Sequence, residues 1–152
     1  FIAEKGREEE VVTRLSRVGY DNSIGYLDGG IDAWKAAGKE IDSIDEVTAF
    51  DFAKGHKDGF RVLDVRKESE YDSQHAEGVE NYPLDFINDH MSELKGDEGY
   101  YLHCQGGYRS MIAASILKSR GFHNLVNIKG GFDAMKETDL KFTEYHSPLT
   151  ML

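Results

Sequence analysis

A chain of 152 residues with a net charge of −10, 39% hydrophobic and 30% charged, reads as globular, with length for one domain or one domain plus a fragment. Its acids are spread along the chain, and no basic block or interleaving of arginine with aromatics occurs, which argues against nucleic acid and against an anionic membrane surface. No apolar run nears membrane-spanning length, no export signal opens the chain, and a single cysteine excludes an internal disulfide, so the expected setting is a reducing cytoplasm.

Residues 8–18, EEEVVTRLSRV, put Val11, Leu15 and Val18 on one helical face, with acids in the first turn and Gly19 as the stop. An apolar stretch from Ile24 to Leu27 reads as a short strand, and Gly29-Gly30 then opens a second helix, Ile31 to Ala37, closed by Gly38. Alone, this piece is too small to bury a core. Lys39 to Ser43 read as a linker. From Ile44 the α/β alternation resumes: a strand near Glu46-Val47, a helix from Thr48 to Lys54, a turn over Gly55 to Gly59, and a buried strand from Arg61 to Val65. Lys67 to Asp72 are mostly charged, with Tyr71 as an anchor. Leu84 to Leu94 have helical spacing, with Phe86, Ile87, Met91 and Leu94 as the buried side.

Tyr100 to His103 then lead Cys104 into a glycine-rich turn, and Arg109-Ser110 start a helix that runs to Arg120 and stops at Gly121. Cys104 therefore lies where a strand becomes a helix, where unpaired backbone N–H groups and the helix dipole favour an anion. A thiolate is such an anion, and it is the nucleophilic form of cysteine. Gly106 and Gly107 allow positive φ and close approach of the backbone. Leu125 to Ile128 supply a last strand and Gly131 to Lys136 a last helix. In the tail, Glu137 to Leu152, Phe142, Tyr145 and Leu149 stand out as isolated apolar anchors.

The order Cys104-x-x-Gly107-x-Arg109-Ser110 resembles the active-site loop of the rhodanese family of sulfurtransferases, and the similarity extends over about Ile44 to Lys136. Two further segments carry it. Phe60 to Arg66 is similar to the family strand that ends in Asp-x-Arg, and His75-Ala76-Glu77-Gly78-Val79-Glu80-Asn81-Tyr82-Pro83 is similar to its His-x-x-Gly-Ala-x-Asn-x-Pro segment. The resemblance implies a three-layer α/β/α sandwich around a mostly parallel sheet of five strands. It implies sulfane-sulfur transfer, with Cys104 as nucleophile and Gln105, Gly106, Gly107, Tyr108, Arg109 and Ser110 as the cradle, with Asp64, Arg66 and His75 in support. Expected partners are a small-molecule donor, such as thiosulfate or a low-molecular-weight persulfide, and an acceptor thiol or cyanide. Gln105 replaces a basic residue common in thiosulfate-using members, which makes thiosulfate the poorer donor. A non-catalytic binding module is the alternative. Cysteine phosphatases use five residues between Cys and Arg; here there are four, a tighter loop that suits sulfur.

The six histidines, His56, His75, His90, His103, His123 and His146, form no metal-binding spacing, so neither metal nor cofactor is expected. On strand alternation the His103 side chain points away from that of Cys104. A self-comparison adds one expectation. GYDNSIGYLDGGIDAWK from Gly19 resembles GFHNLVNIKGGFDAMK from Gly121, so residues 1–38 read as the closing fragment of an upstream rhodanese-like domain whose own cysteine position falls outside this chain. With a first residue that is not Met, this resembles fusions in which a metallo-β-lactamase-like domain lies further upstream.

Overall fold

A computed structural model describes residues 1–147, which form two compact units, residues 1–43 and residues 44 onward. In the first, α1 (Glu8–Ser16) and α2 (Gly30–Ala36) follow the expected helices to within two residues. Ile24 to Leu27 do not form a strand. Their contacts to Phe1, Phe1 N to Gly25 O and Leu27 N to Phe1 O, make two backbone bonds but no ladder, and a strand needs a paired neighbour. Neither helix holds a fully buried residue, and Ile24, Tyr26, Ile31 and Trp34 are exposed.

The second unit is a five-stranded, all-parallel sheet. Its strands are β1 (Asp45–Thr48), β2 (Arg61–Asp64), β3 (Glu80–Asn81), β4 (Tyr100–His103) and β5 (Leu125–Lys129), in the order β1-β5-β4-β2-β3. Strand alternation sorts the side chains. Val62, Tyr101, Val126 and Ile128 face a cluster containing Ala49 and Phe52 of α3 (Ala49–Lys54) and Met135 of α6 (Gly131–Met135). Leu63, Leu102 and Asn127, which are in register, face the other way, towards α5 (Tyr108–Ser119). Buried on both faces, β4 reads as the near-continuous apolar run that a central parallel strand requires.

Two segments depart from the sequence reading. The charged run after Arg66 forms a helix, α4 (Glu68–Ser73), anchored as expected by Tyr71, whose hydroxyl donates to Val79 O at 2.7 Å. Leu84 to Leu94 is not one helix but two single 3₁₀ turns, Leu84–Phe86 and Met91–Glu93. Asn88, Asp89 and His90 between them are weak helix formers, and separate turns bury Leu84, Ile87 and Leu94 just as a helix would. Phe86 and Met91 are consequently not core residues.

The tail is also ordered past the last helix. Phe142 pairs with Ala76 as an isolated antiparallel bridge and packs edge-on against Phe132, 5.5 Å between centroids. Glu77 N donates to Lys141 O, Thr143 N to His75 O and His146 N to Ser73 O, so residues 141–146 form a strap over 73–77. Tyr145 is exposed and anchors nothing, and Leu149 lies outside the described residues.

Candidate active site

Cys104 immediately follows β4, and its side chain is buried, 1% exposed, at the foot of α5. Gly107, at φ +100°, caps α5 in a conformation that only glycine adopts freely, and this turns its N–H onto the Cys104 sulfur at 3.1 Å. The other end of the loop is clamped by α6. Phe132 N donates to Cys104 O at 2.7 Å and Asp133 N to Gln105 O at 3.0 Å, so orphan amides of one helix terminus are satisfied by the carbonyls of the loop. Any Cβ on Gly131, itself at φ +56°, would collide with the Cys104 carbonyl oxygen.

Ser110 lies 3.7 Å from the Cys104 sulfur and begins a polar chain that runs out to Glu46. Asn127 Nδ2 donates to Glu46 Oε2 at 2.9 Å, which fixes the amide so that Asn127 Oδ1 faces Ser110 at 2.7 Å. Asn127 Oδ1 and Gly107 O, the latter 3.0 Å from the hydroxyl, can only accept, so both compete with the Cys104 sulfur for the one Ser110 proton. The Gly107 amide donates to the sulfur whichever way the Ser110 hydroxyl turns. Neither Glu46 nor Asn127 stood out in the sequence: Asn127 is one buried polar residue on an apolar strand, and Glu46 is an exposed acid on a short polar one.

Asp64 and Arg66, predicted supports, form a buried ion pair, with Arg66 Nη2 donating to Asp64 Oδ2 at 2.6 Å. The same guanidinium donates to Gln74 O at 2.9 Å and Gln105 Oε1 at 3.3 Å, and lies 3.9 Å from the centre of the Phe132 ring. Gln105 Nε2 in turn donates to Asp133 Oδ1, so the residue after Cys104 is braced from both sides. Gly106 has open space around it and Tyr108 is exposed at the rim.

Arg109 starts α5 as expected, but its fork is on Glu70 of α4, at 2.6 and 2.8 Å. The Glu70 pairing holds the Arg109 guanidinium above its ordinary pKa, and Arg109 holds the Glu70 carboxyl below the usual carboxylate range. Glu70 was missed; its place three residues into a helix, reaching back to Lys67 N, was the available signal. His75 stacks on Tyr71 at 3.7 Å and bonds Tyr71 O through Nδ1, with no hydrogen bond to the Cys104 loop among the described residues, so it supports the strap turn. His103 is fully buried beside Asp64, its Nε2 3.9 Å from Asp64 Oδ2 and without a hydrogen-bond partner among the described residues. Burial pushes its pKa down, with Asp64 partly opposing. Among the described residues no group of three or more His, Cys, Asp or Glu side chains is arranged to hold a metal, and no helix is long and apolar enough to cross a membrane.

The second unit has clear relatives. YqhL of Bacillus subtilis is 34% identical over 86 residues, covering 57% of this chain and 68% of YqhL. The candidate sulfur carrier protein YrkF of the same organism is 33% identical over 91 residues, covering 59% of this chain but only 49% of YrkF. The candidate adenylyltransferase/sulfurtransferase MoeZ of Mycobacterium tuberculosis is 33% identical over 75 residues, and the chain spans just 19% of its length. Among solved structures, a rhodanese-related protein of Thermoplasma volcanium superposes with a TM-score of 0.59 at 25% identity, covering 65% of this chain and 97% of that one. The sequence model of the rhodanese-like domain matches residues 48–138, more than half of the chain and every residue of the Cys104 site except Glu46. The chain belongs to the rhodanese-like domain family.

Proposed function

We propose that the second unit transfers sulfane sulfur through a persulfide on Cys104. The Cys104 thiolate attacks the outer sulfur of a donor R–S–SH, the donor S–S bond breaks, R–S⁻ leaves and the new S–S bond is Cys104–S–SH. An acceptor thiolate or cyanide then takes that outer sulfur, and Cys104 leaves as thiolate. Sulfur changes hands without any outside oxidant or reductant. The observation that carries the reading is the Gly107 amide on the sulfur of a cysteine at the foot of α5, a fixed donor where negative charge rests on either sulfur species. The names of YrkF and MoeZ point the same way. Intact mass after incubation with thiosulfate or glutathione persulfide tests it. A gain of one sulfur, reversed by dithiothreitol and absent in Cys104→Ser, is expected; no gain from either donor would overturn it.

A binding-only role draws on two observations: Cys104 is buried and the Arg109 fork is occupied by Glu70. That reading gains if Cys104 stays inert to iodoacetamide near neutral pH. For the first unit, the half-repeat supports a closing fragment of a second rhodanese-like domain, in a protein that carries a metallo-β-lactamase-like domain upstream. A reading frame that starts immediately before Phe1 would sink the fusion.

A further inference from the structure

Beside the Cys104 loop lies a cavity of about 250 Å³ whose wall includes Arg66, Ser69, Gln105, Phe132, Lys136 and Tyr145. A water in the liquid occupies about 30 Å³, so the space holds roughly eight groups of that size, enough for one amino-acid-sized arm and too little for a cofactor. The wall is rich in donors with spare capacity. Ser69 and Tyr145 make no side-chain hydrogen bond among the described residues. Lys136 Nζ has a single long contact, 3.5 Å to Asp133 Oδ1, and Arg66 Nη1 reaches Gln105 Oε1 at 3.3 Å. The wall carboxylate, Glu70, has both oxygens on Arg109. A carboxylate is the group such a wall accepts, and the ring of Phe132 gives a short aliphatic stem an apolar surface. Gln105 lines this cavity and directly follows Cys104 in the chain, so the cavity borders the Cys104 loop.

We propose that this cavity is the subsite for the carboxylate arm of a low-molecular-weight thiol, holding donor or acceptor while its sulfur reaches Cys104. The proposal rests on the sulfur-transfer reading above, and it makes an amino-acid-derived thiol, rather than an inorganic donor, the substrate class.

The test uses a ligand that cannot react. S-methylglutathione, with its sulfur capped and its carboxylates free, is titrated against the alkylation of Cys104 by iodoacetamide, followed by intact mass. Protection is expected, with its half-point raised about tenfold in a Lys136→Met, Tyr145→Phe variant and protection lost with the dimethyl ester of the same ligand. Both substituted side chains are solvent-exposed in part, so the fold is retained. Equal protection by the ester, or no protection while thiosulfate still loads sulfur onto Cys104, would overturn the subsite and leave sulfur transfer standing. Carboxylate-dependent protection with no sulfur loaded from any donor would support the subsite and overturn the transfer reading.

Discussion

The loop from Ala3 to Glu8 and the loop from Cys104 to Arg109 are the same backbone device with different occupants. In each, a residue is followed three positions later by a glycine of positive φ, Gly6 at +84° and Gly107 at +100°, and then by a helix. In each, a glycine pair opens the closing helix with nearly equal angles, +77° and +58° at Gly29 and Gly30 against +79° and +56° at Gly130 and Gly131. Against Gly30 stands the carbonyl of Ala3, as that of Cys104 stands against Gly131. In this comparison Ala3 stands where Cys104 does. The Gly6 amide, which answers the one on sulfur, donates to Glu8 Oε1 at 3.0 Å. Backbone N–H groups of Glu8 and Gly6 hold that carboxyl below its ordinary pKa. The loop attracts an anion by its backbone alone; which anion it holds depends on the side chains that follow the turn.

The largest expected effect comes from moving the thiol. In an Ala3→Cys, Cys104→Ser double variant, no sulfur is gained by intact mass, because Glu8 occupies the Gly6 amide and three glutamates crowd the helix start where the second loop has Tyr108, Arg109 and Ser110. Sulfur gained at position 3 would show that the turn suffices. Next comes the buried brace: Asp64→Asn leaves Arg66 uncompensated and is expected to destabilise the second unit by about 3–5 kcal/mol, read as a lowered denaturant midpoint. A midpoint within error of the parent would show that the pair is not needed.

A smaller effect separates the two glycine pairs. Gly131→Ala forces a Cβ onto the Cys104 carbonyl at positive φ, at a cost of about 1–3 kcal/mol, and slows sulfur loading at least tenfold. Gly30→Ala, whose Cβ stops 3.0 Å from the Ala3 oxygen, costs less and leaves loading unchanged. Equal losses would refute the close approach as the cause. The smallest effect is in acid. His103 stays neutral in the fold while the unfolded chain takes up a proton below about pH 6.5, so stability present above that pH is lost as pH falls through it, by at most about 1.4 kcal/mol per pH unit. His103→Phe should shrink the fall in melting temperature between pH 7.5 and pH 5.5; an unchanged fall would assign the acid sensitivity to another group.

What could be read from the sequence follows from where each interaction is encoded. Cys104, Gly107 and α5 were legible because cysteine, turn and helix start are contiguous, and β4 and β5 because apolar runs between glycine turns are strands in an α/β pattern. Gly131 was placed in the right element, but its contact with the Cys104 carbonyl joins residues 27 apart and exists only once the sheet is assembled. Glu70 and Asn127 act through partners 39 and 17 residues away; the local bond of Glu70 to Lys67 N marks a helix start but not the distant arginine it holds. The stretch from Leu84 to Leu94 failed for the opposite reason: its periodicity was real, and two 3₁₀ turns satisfy the same burial.

The strap over residues 73–77 has a practical consequence for anyone cutting this protein. The family match ends at residue 138, yet Phe142 covers Ala76 and Phe132, and Thr143 ties down the turn whose Gln74 carbonyl holds Arg66. A boundary drawn at the end of the match would leave the second unit with its aromatic lid removed and the Arg66 hinge loose. A cut that keeps the strap intact runs at least through His146.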